Sequence, residues 1–73
     1  MDKELFKQSC IAAFGNTWQT NIANHLNVHR QRIRQWLVGA RPLPDIELEL
    51  ILLLEARKEE INKAIAALKK SKN

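Results

Sequence analysis

Residues 18–39 read WQTNIANHLNVHRQRIRQWLVG, and the fold turns on how that stretch is parsed. Trp18, Ile22 and Leu26 recur every four residues, with Ala23 beside Ile22. Ile33, Trp36 and Leu37 then fall at the i, i+3, i+4 spacing of a buried helix face. Asn27 stands between the two stripes, and asparagine accepts a left-handed backbone more readily than most non-glycine residues. The pattern predicts two short amphipathic helices joined by a tight turn at Asn27, with Val28 plugging the corner from inside. Ala23 is small where the second helix must cross the first. Opposite the second stripe lie Gln31, Arg34 and Gln35, with Arg30 and Arg32 on its flanks. Long, donor-rich side chains that are uncharged or cationic, set on a short exposed helix, suit the edges of bases in a duplex major groove.

Upstream, Asp2 is placed to cap a first helix running to Phe14, with Gly15 and Asn16 as its stop. Phe6, Cys10, Ala13 and Phe14 share one face of that helix, and Cys10 reads as a small core residue. Either Thr17 or Asn16 is a suitable N-cap for the next helix. Gln19 and Thr20 then sit in its first turn, where free N–H groups and the helix dipole can hold a phosphate. Both residues also fit an ordinary helix surface. His29 begins or caps the following helix, and the turn at Asn27 keeps it off the helical face of His25, which argues against a zinc pair.

Downstream, Gly39 stops that helix, and residues 40–44, ARPLP, form a rigid connector. Arg41 reads equally as a phosphate contact and as a solvated loop charge. Asp45 is expected to cap a long last helix over residues 45–69, with Glu47 and Glu49 near its positive end and Lys63, Lys69 and Lys70 near its negative end. Ile46, Leu50, Leu53 and Leu54 can reach the helix pair. Farther along, Leu54, Ile61 and Leu68 recur at seven, with Ala64 and Ile65 alongside, interrupted by Arg57 and Lys58. That second stripe either folds back on its own domain or pairs with a second copy. Pairing is the expectation, because an apolar stripe on so short a chain is costly to leave wet. Residues 71–73 are expected to fray.

The whole reading is an all-α, four-helix domain spanning residues 1–73, with residues 1–44 carrying the helix pair and 45–70 the long helix. At 73 residues such a chain buries a limited core and gains from oligomerising. The net charge is +4, and it is unevenly placed. Asp2, Lys3 and Glu4 sum to −1; residues 5–44 hold Lys7, Arg30, Arg32, Arg34 and Arg41 with no acid, a net +5; residues 45–73 hold six acids and six bases. A one-signed segment in a small domain is an electrostatic footprint for a polyanion. A single cysteine excludes an internal disulfide or a cysteine-rich zinc site and fits a reducing cytoplasm. No apolar run approaches a membrane span, and the N-terminus does not read as a signal peptide.

Residues 19–38 resemble the helix-turn-helix of phage Cro and lambda-repressor type regulators. That pattern wants a small residue fifth, where Ala23 stands. It wants apolar residues at the fourth, eighth, tenth, fifteenth and eighteenth places, filled by Ile22, Leu26, Val28, Ile33 and Trp36. Residues 36–39, WLVG, look like the end of the family's recognition helix, and Arg41-Pro42 like its continuation. The one departure is Asn27, where the family usually has glycine. Size and layout are similar to those of anti-CRISPR-associated repressors.

The resemblance implies a recognition helix that reads bases through His29, Arg30, Gln31, Arg34 and Gln35; on the reading of the residues themselves, Gln19, Thr20, Arg32 and Arg41 are expected on phosphates. The two-fold symmetry of the expected homodimer predicts an inverted repeat of double-stranded DNA, and the resemblance implies action as a repressor. Leu54, Ile61, Ala64, Ile65 and Leu68 are the expected dimer contacts. No cofactor, metal, membrane or small-molecule ligand is expected.

A competing class is a protein-interaction module, antitoxin-like or inhibitor-like, that uses the C-terminal helix on a partner and the helix pair as scaffold. RNA stacking is disfavoured because Phe6, Phe14, Trp18 and Trp36 all fall on apolar faces. Catalysis is disfavoured because residues 5–44 lack any carboxylate and there is no glycine-rich phosphate loop.

Overall fold

A computed structural model describes residues 1–72, and the fraying expected at residue 73 lies outside them. The fold is all-helical. Helix α1 spans Lys3–Phe14, α2 Trp18–Leu26, α3 Arg30–Val38 and α4 Glu47–Lys72, with a short 3-10 turn over Gly15–Thr17. Among the described residues there is no strand. No helix among them is long and apolar enough to cross a membrane.

Asp2 caps α1 as expected, its carboxylate accepting from the N–H of Leu5 at 3.1 Å. The helix buries Phe6, Cys10 and Ala13. Gly15 ends it with φ 74° and ψ −144°, a conformation that only glycine adopts without strain. The Thr17 cap does not form. The 3-10 turn runs straight into α2, so Thr17 has ψ 24° instead of the extended backbone an N-cap needs. Its hydroxyl accepts from the Asn21 amide at 2.8 Å, and no Asn16 cap replaces it.

The joint between α2 and α3 closes as a Schellman motif. Asn27 is left-handed at φ 57° and ψ 44°. Its N–H reaches the Asn24 carbonyl at 3.2 Å, and the Val28 N–H reaches the Ala23 carbonyl at 2.9 Å. Val28 turns inward against the core. Ala23 is buried at the crossing.

Phe6 is the centre of the core. It is fully buried and meets Trp18 and Trp36 edge-on, each at a ring separation of 6.0 Å. Such geometry adds roughly 0.5–1.5 kcal/mol per pair beyond the area buried. Cys10, Ile22, Ala23, Ile33 and Leu50 complete the cluster. Helix α1 packs on both α2 and α4, while α3 packs chiefly on α2 through Ile33 and Trp36. The outer side of α3 is therefore left open.

The connector keeps Leu43 and Ile46 against the core. Helix α4 begins at Glu47, one residue later than the Asp45 cap would place it, with the Ile46 carbonyl accepting from Leu50 N–H at 3.1 Å. Packing of Ile46 takes the last non-helical position, so burial overrides capping preference there. The helix also extends beyond its expected end at Lys69, through Ser71 to Lys72.

Only the first three turns of α4 touch the domain, through Leu50 and Leu53 in the core and through Arg57, whose side chain reaches back to the end of α1. Every residue from 55 to 72 is exposed. At about 1.5 Å per residue the helix is about 39 Å long, and it makes the molecule a 53 × 20 × 20 Å rod. The second apolar stripe does not fold back: Ile61, Ile65 and Leu68 all stand exposed.

Candidate nucleic-acid interface

The open side of α3 is built by the burial of its opposite side. Ile33 and Trp36 are driven inward, and helical spacing then turns Arg30, Gln31 and Arg34 outward. His29, Arg30, Gln31 and Arg34 are exposed, and Gln35 is half-buried at the edge. A shallow depression is lined by these five residues together with Val38.

Neighbouring depressions tie in the other candidate residues. Arg30 lines one with Asn16, Thr17, Gln19 and Thr20, so the start of α2 lies beside the start of α3. Arg32 and Arg41 line another with His29, Gln31 and Gln35. All nine residues singled out for base or phosphate contact thus fall on one continuous surface. Arg41 is held there because its N–H returns to the Gln35 carbonyl at 3.2 Å, after Gly39 turns left-handed at φ 82°. The fixed connector places Arg41 beside Arg32 on this surface.

His29 has a structural duty as well. It is the N-cap of α3, and its Nδ1 accepts from the Gln31 N–H at 3.2 Å. That leaves Nε2–H as its outward donor.

The electrostatics are one-sided. No aspartate or glutamate lines any of these depressions. Among the described residues the ion pairs are Arg57–Glu60 and Lys63–Glu59, both on α4. Arg30, Arg32, Arg34 and Arg41 therefore keep all their guanidinium donors free. Chemically the surface can offer charge-assisted hydrogen bonds to a polyanion, with Gln31 and Gln35 able to donate and accept together. Among the described residues no three His, Cys, Asp or Glu side chains gather as metal ligands.

Sequence reasoning missed Arg57. It was read as a break in the apolar stripe, but its Nε donates to the Ala13 carbonyl at 3.0 Å, and its guanidinium lies 5.8 Å from the Phe14 ring centre. It caps the C-terminal end of α1 from 44 residues away and fixes the direction of α4.

Comparison with protein-family models, curated proteins and solved structures gives no match to this chain.

Proposed function

We propose that this protein is a sequence-specific double-stranded DNA-binding regulator of the helix-turn-helix kind, acting as a dimeric repressor. The observation that carries the reading is the α3 surface: three unpaired arginines and two glutamines on one acid-free face, joined by Arg41 of the connector and displayed by a helix whose other side is locked into the core. Helix α3 enters the major groove. Arg30 and Arg34 donate to guanine O6 and N7, and Gln31 and Gln35 pair with adenine N6 and N7 or bridge through water. His29 adds its Nε2–H to an acceptor at the groove edge. Arg32, Arg41, Gln19 and Thr20 hold phosphates on either side and set the register.

A homodimer formed through the exposed stripe of α4 presents two such helices to an inverted repeat. The half-sites then lie about one helical turn apart or a multiple of it. Repression follows from occupying a promoter that overlaps the operator.

Selection of bound sites from random duplex DNA tests this, with the mass of the free protein measured in solution. The expected result is a palindromic consensus and a mass of two chains. Binding without sequence preference at moderate salt overturns the reading. A partner-binding scaffold instead predicts that association is insensitive to Arg30 and Arg34 substitution and to salt, whereas DNA binding weakens steeply with salt through counterion release.

A further inference from the structure

Helix α4 is polar along its length in a way the domain core does not require. Residues 47–60 carry five carboxylates (Glu47, Glu49, Glu55, Glu59 and Glu60) against Arg57 and Lys58, a net −3. Residues 61–72 carry Lys63, Lys69, Lys70 and Lys72 with no acid, a net +4. The helix macrodipole favours acids at the start and lysines at the end, but its influence fades within one turn of each terminus. Glu55, Glu59, Glu60 and Lys63 lie well inside.

An apolar seam runs along the same helix. Ile51, Leu54, Lys58, Ile61, Ile65 and Leu68 follow one another at alternating steps of three and four, the spacing of a coiled-coil contact line. Ile51 is 53% exposed, Ile61 56%, Ile65 44% and Leu68 71%. Lys58 is the one charge in that line.

We infer that α4 pairs with α4 of a second copy in the antiparallel direction. The inference rests on the two-copy reading above and adds its orientation. Side by side in the same direction, acidic halves face acidic halves and lysine halves face lysine halves. Lys58 would also meet Lys58 of the second copy at the centre of the seam. Reversed, each acidic half lies along a basic one.

In the register centred between Glu59 and Glu60, Ile65 packs on Leu54 of the second copy and Leu68 on Ile51. Lys58 packs its aliphatic stem on Ile61 and carries its ammonium out to the flanking carboxylates. The flanking positions then bring Glu55 of one copy toward Lys69 of the other. Charges beside a seam set partner orientation in such helix pairs, and opposed helix dipoles act in the same sense.

The test uses two full-length chains that differ in length by a tag, one carrying Ile51→Cys and the other Leu68→Cys. Both positions are exposed, so the fold is spared, and Cys10 is fully buried and does not compete. The chains are mixed and treated with a short flexible thiol-to-thiol linker, without DNA. The expected product is a covalent pair of mixed length, with little self-linking by the Leu68→Cys chain alone. The dissociation constant of the parent pair is expected to rise roughly fivefold or more between low and high salt, as screening removes the attraction.

Efficient self-linking of Leu68→Cys, or tighter association at high salt, overturns the antiparallel direction and leaves the dimer standing. A solution mass of one chain overturns the pairing altogether. Sequence preference in DNA selection is read separately, so the groove-reading role of α3 can fail or survive independently of either result.

Discussion

Arg34 and Arg32 are both exposed on α3, but they belong to different parts of the surface. Arg34 lines the central depression with Gln31 and Gln35, and Arg32 lines the one shared with Arg41. A base-reading arginine discriminates, whereas a phosphate-holding one only attracts. Arg34→Ala is therefore expected to cost on the order of 1–3 kcal/mol on the best site and to relax preference at one base pair. Arg32→Ala is expected to weaken all sequences about equally and to lower the salt slope by about one charge. Competition binding on single-base operator variants separates the two; an Arg34→Ala chain that keeps the parent's preferences removes Arg34 from the groove.

Cys10 gives a second prediction at this scale. Burial pushes its thiol up from the ordinary 9.0 to about 11. Between those values the folded chain keeps the proton that the unfolded chain has lost, so stability must fall as pH rises through that window. In Cys10→Ala the extra decline should vanish. Denaturant melts of parent and variant at pH 8 and pH 10.5 measure the difference, and equal declines contradict the assignment.

At the scale of elements, the placement of α4 depends on Arg57. The Nε bond to the Ala13 carbonyl joins the middle of α4 to the end of α1, and with the Arg57 side chain 45% exposed this charged donor contributes about 1–2 kcal/mol. The Arg57–Glu60 pair at 3.2 Å is exposed and contributes about 0–1 kcal/mol. Arg57→Met keeps the stem and loses the donor, so it is expected to destabilise by about 1–2 kcal/mol, while Glu60→Gln should change stability by less than about 0.5 kcal/mol. Thermal and denaturant unfolding of the two variants decides between them. Equal effects would place the anchor in the ion pair instead.

The same residue shows where sequence reading runs out. The α2–α3 pair was legible because its signals are local: two apolar stripes, a left-handed asparagine and a small residue at a crossing. Arg57 bonds a carbonyl 44 residues away, and no spacing rule reports such a reach. Thr17 and Asp45 show the converse failure, in which a good local cap is displaced by tertiary demands. A 3-10 turn abuts α2 at one, and Ile46 must reach the core at the other. The outward face of α3 was also readable, since helix period alone sends Arg34 away from Ile33 and Trp36. Gln35 was placed fully outside and is half-buried, because it lies at the edge where α3 meets the connector.

At the scale of the whole molecule, a basic compact domain carries a long helix whose last half touches nothing in its own chain. The two parts are separable by substitution. Ile61, Ile65 and Leu68 are exposed in the single chain, so changing all three to serine removes no core contact. The domain's own unfolding free energy should shift by no more than about 0.5 kcal/mol per site. What should disappear is the dependence of the melting temperature on protein concentration, the mark of a paired native state.

On an inverted repeat, the second domain of a dimer binds at the high effective concentration its tether provides, and a monomer forfeits that gain. Affinity for the full operator should fall on the order of a hundredfold, while affinity for an isolated half-site stays near the parent domain's. The salt dependence gives an independent count: each phosphate neutralised contributes about −0.9 to the slope of log K against log salt, so a complex holding half as many should show about half the slope. Titrations of parent and triple variant on full and half operators at several salt concentrations measure all of these. Loss of affinity with an unchanged slope would mean that the stripe acts on the reading surface itself and not through a second copy.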